Sequence, residues 1–324
     1  MQVRRSAIIT QEKKNDTTIM KTILSGSLAY DRIMEFPELF SDHLLADKLH
    51  EINVCFMVNG MTENFGGTAG NIAYALKMLG GSPEISATIG LDSHRYIEWL
   101  HKNTISTDRI QHIEDEWTAG AYITTDRNDN QITGFNPGAM KYSSTLDFDS
   151  FGKNTLVIVS PGNLDDMVRY PQKCRDKGVK YIFDPGQALP MLEGEELLRC
   201  IDGCLLLMVN DYEMNLIVSK TGLVKEEILE RAGSTVVTLG HEGSLLYTYT
   251  SAVKIPVFPA RKVADPTGAG DAYRGGLLSA LVREQSLEES CIIGSVCASF
   301  AVERNGTQMY SFDEQEFNAR RKLI

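Results

Sequence analysis

Seven residues, Asp265-Pro266-Thr267-Gly268-Ala269-Gly270-Asp271, set a carboxylate directly after a glycine-framed turn. The apolar run Ala272-Tyr273-Arg274-Gly275-Gly276-Leu277-Leu278 follows it. Gly268 and Gly270 let the backbone turn tightly and present its N–H groups. At a helix start those groups lack intrahelical acceptors, and the helix dipole adds to their pull on an anion. Asp271 then stands beside the anion. A carboxylate repels a phosphate, so it is a poor choice for binding alone. It suits a group that takes the proton of a hydroxyl attacking that phosphate. The segment predicts the centre of a phosphoryl-transfer enzyme.

Four weaker groups lie upstream, each with a plainer structural alternative. Asp31, in Gly26-Ser27-Leu28-Ala29-Tyr30-Asp31, could accept hydrogen bonds from two sugar hydroxyls, or serve as a turn or cap residue. Gly66-Gly67-Thr68-Ala69-Gly70-Asn71 leads into a helix. Gly66 and Gly67 would let a ligand approach the backbone, and Asn71 offers a donor and an acceptor to vicinal hydroxyls. The same glycines could serve only a tight turn, and the spacing is not that of a dinucleotide fingerprint. Asn210-Asp211-Tyr212-Glu213 follows a very apolar strand. Asn210 could bond a phosphate oxygen and Glu213 could hold hydrated Mg²⁺; alternatively, Asp211 caps a helix. Thr238-Leu239-Gly240-His241-Glu242-Gly243 suits a polyphosphate tail, or is an ordinary hairpin.

The elements that would position these groups can be read from hydrophobic periodicity. Strands are expected near 22–27, 156–160, 181–184, 205–210, 236–239 and 244–249, with helical patterns over 165–177, 211–220 and 225–231. Pro171 is expected to break the first of these helices or delay its start. Strand–helix–strand repetition implies a mainly parallel sheet with helices on its faces. The N-terminal part differs. Residues 52–58 alternate as a half-buried strand, 119–135 read as a hairpin turning at 127–130, and 69–79 read as a core-facing helix. The expected architecture is a large α/β body from residue 20 to 324. A small β-rich lid, in segments near 30–66 and 116–136, would close over the sheet. Residues 1–19 are polar and of mixed charge, and read as an extension outside the fold.

Lys+Arg 32 against Asp+Glu 43 gives a net charge of −11, which argues against nucleic acid or an anionic membrane as the main partner. No apolar run approaches membrane-spanning length. The six cysteines form no C-x-x-C pair and read as reduced thiols of a cytoplasmic protein.

In order and separation, the set Asp31, Gly66-Gly67…Asn71, Asn210-x-x-Glu213, Thr238-x-Gly240-x-x-Gly243 and Gly268-Ala269-Gly270-Asp271 resembles the ribokinase-like (PfkB-type) family of carbohydrate and nucleoside kinases. The resemblance covers nearly all of the chain from Lys21 onward. It implies a three-layer α/β/α body with a β lid, and transfer of the γ-phosphate of ATP to a primary hydroxyl. It implies Asp271 as general base, with Gly268, Ala269 and Gly270 as the anion hole. Asn210 and Glu213 would organise phosphate and Mg²⁺, Thr238, Gly240 and Gly243 would line the ATP phosphates, and Asp31, Gly66, Gly67 and Asn71 would hold the sugar. Many relatives bind a monovalent cation, here at positions Asp265, Thr267, Arg304 and Gly306. Pro266 replaces a Thr usual in the signature, so potassium activation stays open.

For the acceptor, no Lys or Arg occurs in 49–75 or in 110–126. A sugar phosphate would need cationic partners there, so a neutral acceptor is expected. Phe56, Met57, Trp117, Tyr122 and Phe135 could cover a nucleobase or simply pack the lid. The glutamate that ribokinases carry after the mid-chain strand is missing from Ser160-Pro161-Gly162-Asn163. Blocks 26–31, 135–140 and 183–187 resemble bacterial adenosine kinase-like members. The expected reaction is phosphorylation of adenosine at its 5′-hydroxyl, giving AMP. The alternative is a kinase for a free sugar such as ribose or fructose. A non-catalytic nucleotide or nucleoside sensor ranks below both, because the base and the anion loop are intact. Monomer and homodimer both stay open.

Overall fold

The run Lys-Thr-Ile-Leu-Ser forms strand β1 (Lys21–Ser25), buried in all but its first residue. The computed structural model describes residues 20–44, 50, 51 and 53–324, so the expected extension 1–19 lies outside the described residues. The strands that follow are β2 (Ala29–Glu35), β3 (Met61–Gly66), β4 (Pro83–Ile89), β5 (Ile110–His112), β6 (Ala119–Thr125) and β7 (Gln131–Asn136). Next come β8 (Thr155–Val159), β9 (Lys180–Phe183), β10 (Leu206–Asn210), β11 (Thr235–Thr238), β12 (Ser244–Tyr247) and β13 (Ala252–Ile255). The helices are α1 (Phe40–His43), α2 (Thr68–Met78), α3 (His94–Lys102), α4 (Leu164–Lys177), α5 (Gly194–Ile201), α6 (Asp211–Thr221), α7 (Lys225–Arg231), α8 (Ala269–Leu281), α9 (Leu287–Ala301) and α10 (Glu314–Arg321).

Nine strands make one sheet in the order β13-β12-β11-β10-β9-β8-β1-β4-β5. It is parallel except for β12 and β13, which pair antiparallel at one edge. Burial on both faces explains the unbroken apolar strand Thr155–Val159. Leu156 and Ile158 join a core with α2, α3 and α8, whereas Val157 and Val159 join a core with α4, α5 and α6. Helices therefore cover both faces. The strand ends at Ser25, Val159, Phe183, Asn210 and Thr238 are all carboxyl ends of parallel strands, and so share one rim of the sheet. A separate four-stranded sheet, order β3-β2-β6-β7, is made by the N-terminal part. The hairpin β6–β7 turns on Asp126, whose carboxylate accepts from the backbone N–H groups of Asn128 and Asn130. No described helix is long and apolar enough to cross a membrane.

Two expectations fail. Residues 53–58 are not a strand, and Ile52 lies outside the described residues. The pairing partner of β2 is instead the more polar run Met61–Gly66, in register from Ala29↔Gly66 to Met34↔Met61. Phe56, from the expected strand, packs on Phe36 and Phe40 with ring centroids 4.7 and 5.2 Å away. Pro171 does not interrupt its helix, which runs continuously over Leu164–Lys177. The missing N–H of Pro171 would have served the Met167 carbonyl. That carbonyl instead accepts from the Cys200 thiol, Sγ to O 3.6 Å, so the local loss is offset by a neighbouring helix.

Candidate active site

Helix α8 begins where the signature predicts a turn. Gly268 is its N-cap in the left-handed region, φ 76°, and Asp271 lies in the first turn. A side chain at Gly268 would strike Thr307, with Cβ to Cβ at 2.9 Å. Glycine here therefore meets both a conformational and a steric demand. The Asp265 carboxylate ties the loop together, accepting from Thr267 N–H at 2.8 Å and Gly306 N–H at 3.3 Å. Arg304 is exposed.

Asp271 is oriented by α2. Asn71 Nδ2 donates to Asp271 Oδ2 at 2.8 Å. Asn71 Oδ1 accepts from Thr307 Oγ1 at 2.8 Å and Gln308 Nε2 at 3.0 Å, which fixes the sense of the amide. Both polar ends of Asn71 are thus engaged within the protein. Burial pushes the Asp271 carboxyl up to about 6, against the opposing pull of Arg274 and of the Asn71 hydrogen bond. Asp31 is likewise pushed up to about 6, by burial and then by the charge of Asp265. It lies against Gly66, where an added Cβ would stand 2.4 Å from Asp31 Oδ2. Gly67 caps α2 at φ 86°. Thr68 joins the rim, donating from Oγ1 to the Pro161 carbonyl at 2.7 Å and accepting from Ser160 Oγ at 3.2 Å.

A cleft of about 480 Å³ opens beside this turn, lined by residues that include Thr68, Asn210, Glu213, Thr238, Gly240, Gly268, Gly270 and Asp271. Asn210, and not Asp211, is the N-cap of α6. Its Oδ1 accepts from Glu213 N–H at 2.7 Å, while Glu213 Oε2 accepts from Asn210 N–H at 2.8 Å. Burial raises the Glu213 carboxyl. Gly243 stands away from the cleft lining, at φ 95° against β13; a Cβ there would meet the Ile255 carbonyl at 2.2 Å.

Asp184, at the end of β9, and Arg274, one turn beyond Asp271, line the same cleft as a buried pair. Sequence reading assigned neither a chemical role. One signal was available: Arg274 is the lone charge in an otherwise apolar and glycine run. Of the aromatic and Met candidates, Met57, Trp117 and Phe135 are exposed, at 85%, 52% and 54%. Tyr122 accepts a hydrogen bond from Arg32 through its hydroxyl.

A family profile described as pfkB family carbohydrate kinase matches residues 42–314. The chain belongs to this family. The pfkB-family kinase is 34% identical over 264 residues to a nucleoside kinase of Methanocaldococcus jannaschii, an alignment covering 81% of this chain and 87% of that one. The ligand-free nucleoside kinase of Burkholderia thailandensis superposes with a TM-score of 0.83 at 37% identity, over 93% of this chain and all of that one. The same enzyme in complex with ADP-inosine gives 0.79 at 38%, over 93% and 94%. The fold is ribokinase-like, and the protein is an ATP-dependent phosphotransferase that acts on the hydroxyl of a nucleoside or sugar.

Proposed function

We propose that this kinase phosphorylates the 5′-hydroxyl of a nucleoside, with adenosine the first choice, and that Asp271 is its base. The observation that carries the chemistry is the Asp271 carboxylate, held by Asn71 in the first turn of α8 beside the Gly268-Ala269-Gly270 turn. In the proposed step the acceptor oxygen bonds to the γ-phosphorus as its proton passes to Asp271. The bond to the β,γ-bridging oxygen breaks and ADP leaves. N–H groups at the start of α8 stabilise the charge that develops on the phosphoryl oxygens. Asp31, beside Gly66 and Gly67, would hold the acceptor's hydroxyls. Asn71 would act through Asp271 rather than as a free ligand for the sugar. Asn210, Thr238 and Gly240 would receive the ATP phosphates.

A neutral acceptor is supported by how the cations near the small sheet are used. Arg32 pairs with Glu63 at 2.8 Å and Asp92 at 3.0 Å, Arg95 also pairs with Glu63, and Lys141 pairs with Glu116 at 2.6 Å. A sugar phosphate would have to break these pairs. The rim after β8 carries no carboxylate to grip free ribose; Ser160 is buried and donates to the Ser25 carbonyl. The nucleoside kinases of Methanocaldococcus jannaschii and Burkholderia thailandensis, to which the chain is similar, favour a nucleoside as well.

Glu213 fits a hydrated Mg²⁺. Its Oε2 is committed to the cap, Oε1 has no hydrogen-bond partner among the described residues, and no described cluster of three metal-ligating side chains would form a closed cage. Magnesium bound through water and ATP would neutralise phosphate charge. For potassium, Asp265 links the two candidate loops by accepting from Thr267 N–H and Gly306 N–H.

The test is ADP release with Mg·ATP against adenosine, inosine, guanosine, cytidine, ribose, fructose and fructose 6-phosphate. Nucleosides are expected to exceed every sugar, with adenosine highest; turnover confined to free sugars would overturn the acceptor assignment. With the preferred acceptor, kcat/KM is expected to fall about tenfold per pH unit below the Asp271 value of about 6, because only the ionised carboxylate takes the proton. A profile flat down to pH 4.5 would remove Asp271 from that role.

A further inference from the structure

The cleft that would take the triphosphate of ATP is strongly acidic. Its lining includes Asp184, Asp211, Glu213 and Asp271, and among the described lining residues the single cation is Arg274. Arg274 is only 8% exposed. Its Nη2 donates to Asp184 Oδ1 at 2.6 Å and its Nε faces Asp184 Oδ2, so the guanidinium plane is fixed along one edge. The remaining nitrogen, Nη1, has no hydrogen-bond partner among the described residues. It lies 2.8 Å from where a Cβ on Gly270 would stand, directly under the glycine turn. A planar guanidinium held by one hydrogen bond and a second ion-pair contact to the same carboxylate presents its remaining N–H groups in a fixed direction.

We propose that Arg274, aimed by Asp184, is a catalytic residue that contacts the terminal phosphate of ATP through Nη1 and supplies a side-chain charge to the backbone anion hole during transfer. A cation built into the turn answers an evident difficulty: a polyanion must enter among four carboxylates. The absence of a side chain at Gly270 is what lets the guanidinium reach the turn. Asp184 is a positioning residue, since both its oxygens face the Arg274 guanidinium, one of them through a hydrogen bond. This inference rests on the phosphoryl-transfer reading of the site, but not on the identity of the acceptor.

Three variants test it: Arg274→Met, Arg274→Lys and the double variant Asp184→Asn/Arg274→Met. The double variant is needed because Arg274→Met alone leaves a buried carboxylate without its partner, which can cost stability for reasons unrelated to catalysis. The parent is first run on the acceptor panel, and all variants are compared on whichever acceptor it uses. A wrong acceptor and a wrong role for Arg274 then give different results. Arg274→Met is expected to lose about 100-fold or more in kcat, the loss typical of removing one donor from an anion hole, with Arg274→Lys between it and the parent. The double variant is expected to regain the melting temperature and remain slow. By calorimetry without acceptor, Arg274→Met should bind Mg·ATP about tenfold more weakly while Mg·ADP is unchanged, because the contact is to the terminal phosphate. The acid limb of kcat/KM should also move to higher pH. Asp271 would then keep only the Asn71 hydrogen bond against its burial and the charges of Asp184 and Asp31. Unchanged turnover, unchanged Mg·ATP affinity, or turnover regained in the double variant would overturn the proposal.

Discussion

Asp271→Asn is expected to lower kcat about a thousandfold while leaving ATP and acceptor affinities within a few fold of the parent, the range for removing a general base. Asparagine keeps the size of the side chain and can still meet Asn71, so the pocket keeps its shape. It cannot accept the hydroxyl proton. The same variant carries a stability signature of opposite sign. The Asp271 carboxyl is raised from the usual 3.8 to about 6, chiefly by burial. A carboxyl raised on folding favours the folded state fully only below its unfolded value, and that contribution is lost as pH rises through 6. At pH 7.5 the ionised, buried group therefore costs on the order of 1–3 kcal/mol, which asparagine avoids. The variant should melt above the parent at pH 7.5, and the gap should close near pH 4. Near-normal turnover would remove Asp271 from the base role. A variant that melts lower at pH 7.5 would show that its carboxylate is not destabilised by burial.

The catalytic turn was legible because local rules dictate it. Two glycines, a following acid and an apolar helical run point the same way whatever the rest of the chain does. The parallel body was legible for a similar reason, since strands buried on both faces, such as Thr155–Val159, leave continuous apolar runs. What failed depended on distant partners. Residues 53–58 alternate well, but alternation does not say which segment will find β2; the register with Met61–Gly66 does. Pro171 should end a helix, and the Cys200 thiol on α5 lets the helix continue. Asn71 reads as a free ligand for hydroxyls until Asp271, Thr307 and Gln308 are seen around it, all more than 190 positions along the chain. Arg274 reads as one more helical arginine until Asp184 is seen beside it, 90 positions away.

Gly275→Ala is expected to destabilise the fold and to disturb the base through one helix crossing. The Asn71–Asp271 contact exists because α2 and α8 cross closely, and Gly275 sits at that crossing. An added Cβ would stand 2.4 Å from Ala75 Cβ, 2.8 Å from the Ile72 carbonyl and 2.9 Å from Leu76 N. Two of these are backbone atoms that no rotamer change can move. Retreat on the other side is blocked as well: a Cβ added at Gly276 would stand 2.8 Å from both Cys297 Cβ and Gly294 Cα of α9. Helix α8 is thus held between two neighbours at distances that only glycine permits. Overpacking of this kind costs about 1–3 kcal/mol and more where backbone must shift, so a fall in Tm of roughly 2–5 °C is expected for a domain of this size. The fold change reaches the chemistry because pushing α8 off α2 carries Asp271 away from Asn71, and kcat should fall with the Tm. Gly134→Ala is the control: nothing lies within 4 Å of its added Cβ on exposed β7, so it should leave both quantities unchanged. Adding Ala75→Gly to Gly275→Ala should restore part of the Tm, because it removes the nearest clash and leaves the two backbone contacts. Parent-like Tm and kcat in Gly275→Ala would mean that the two helices do not approach this closely, and that some other contact orients Asp271.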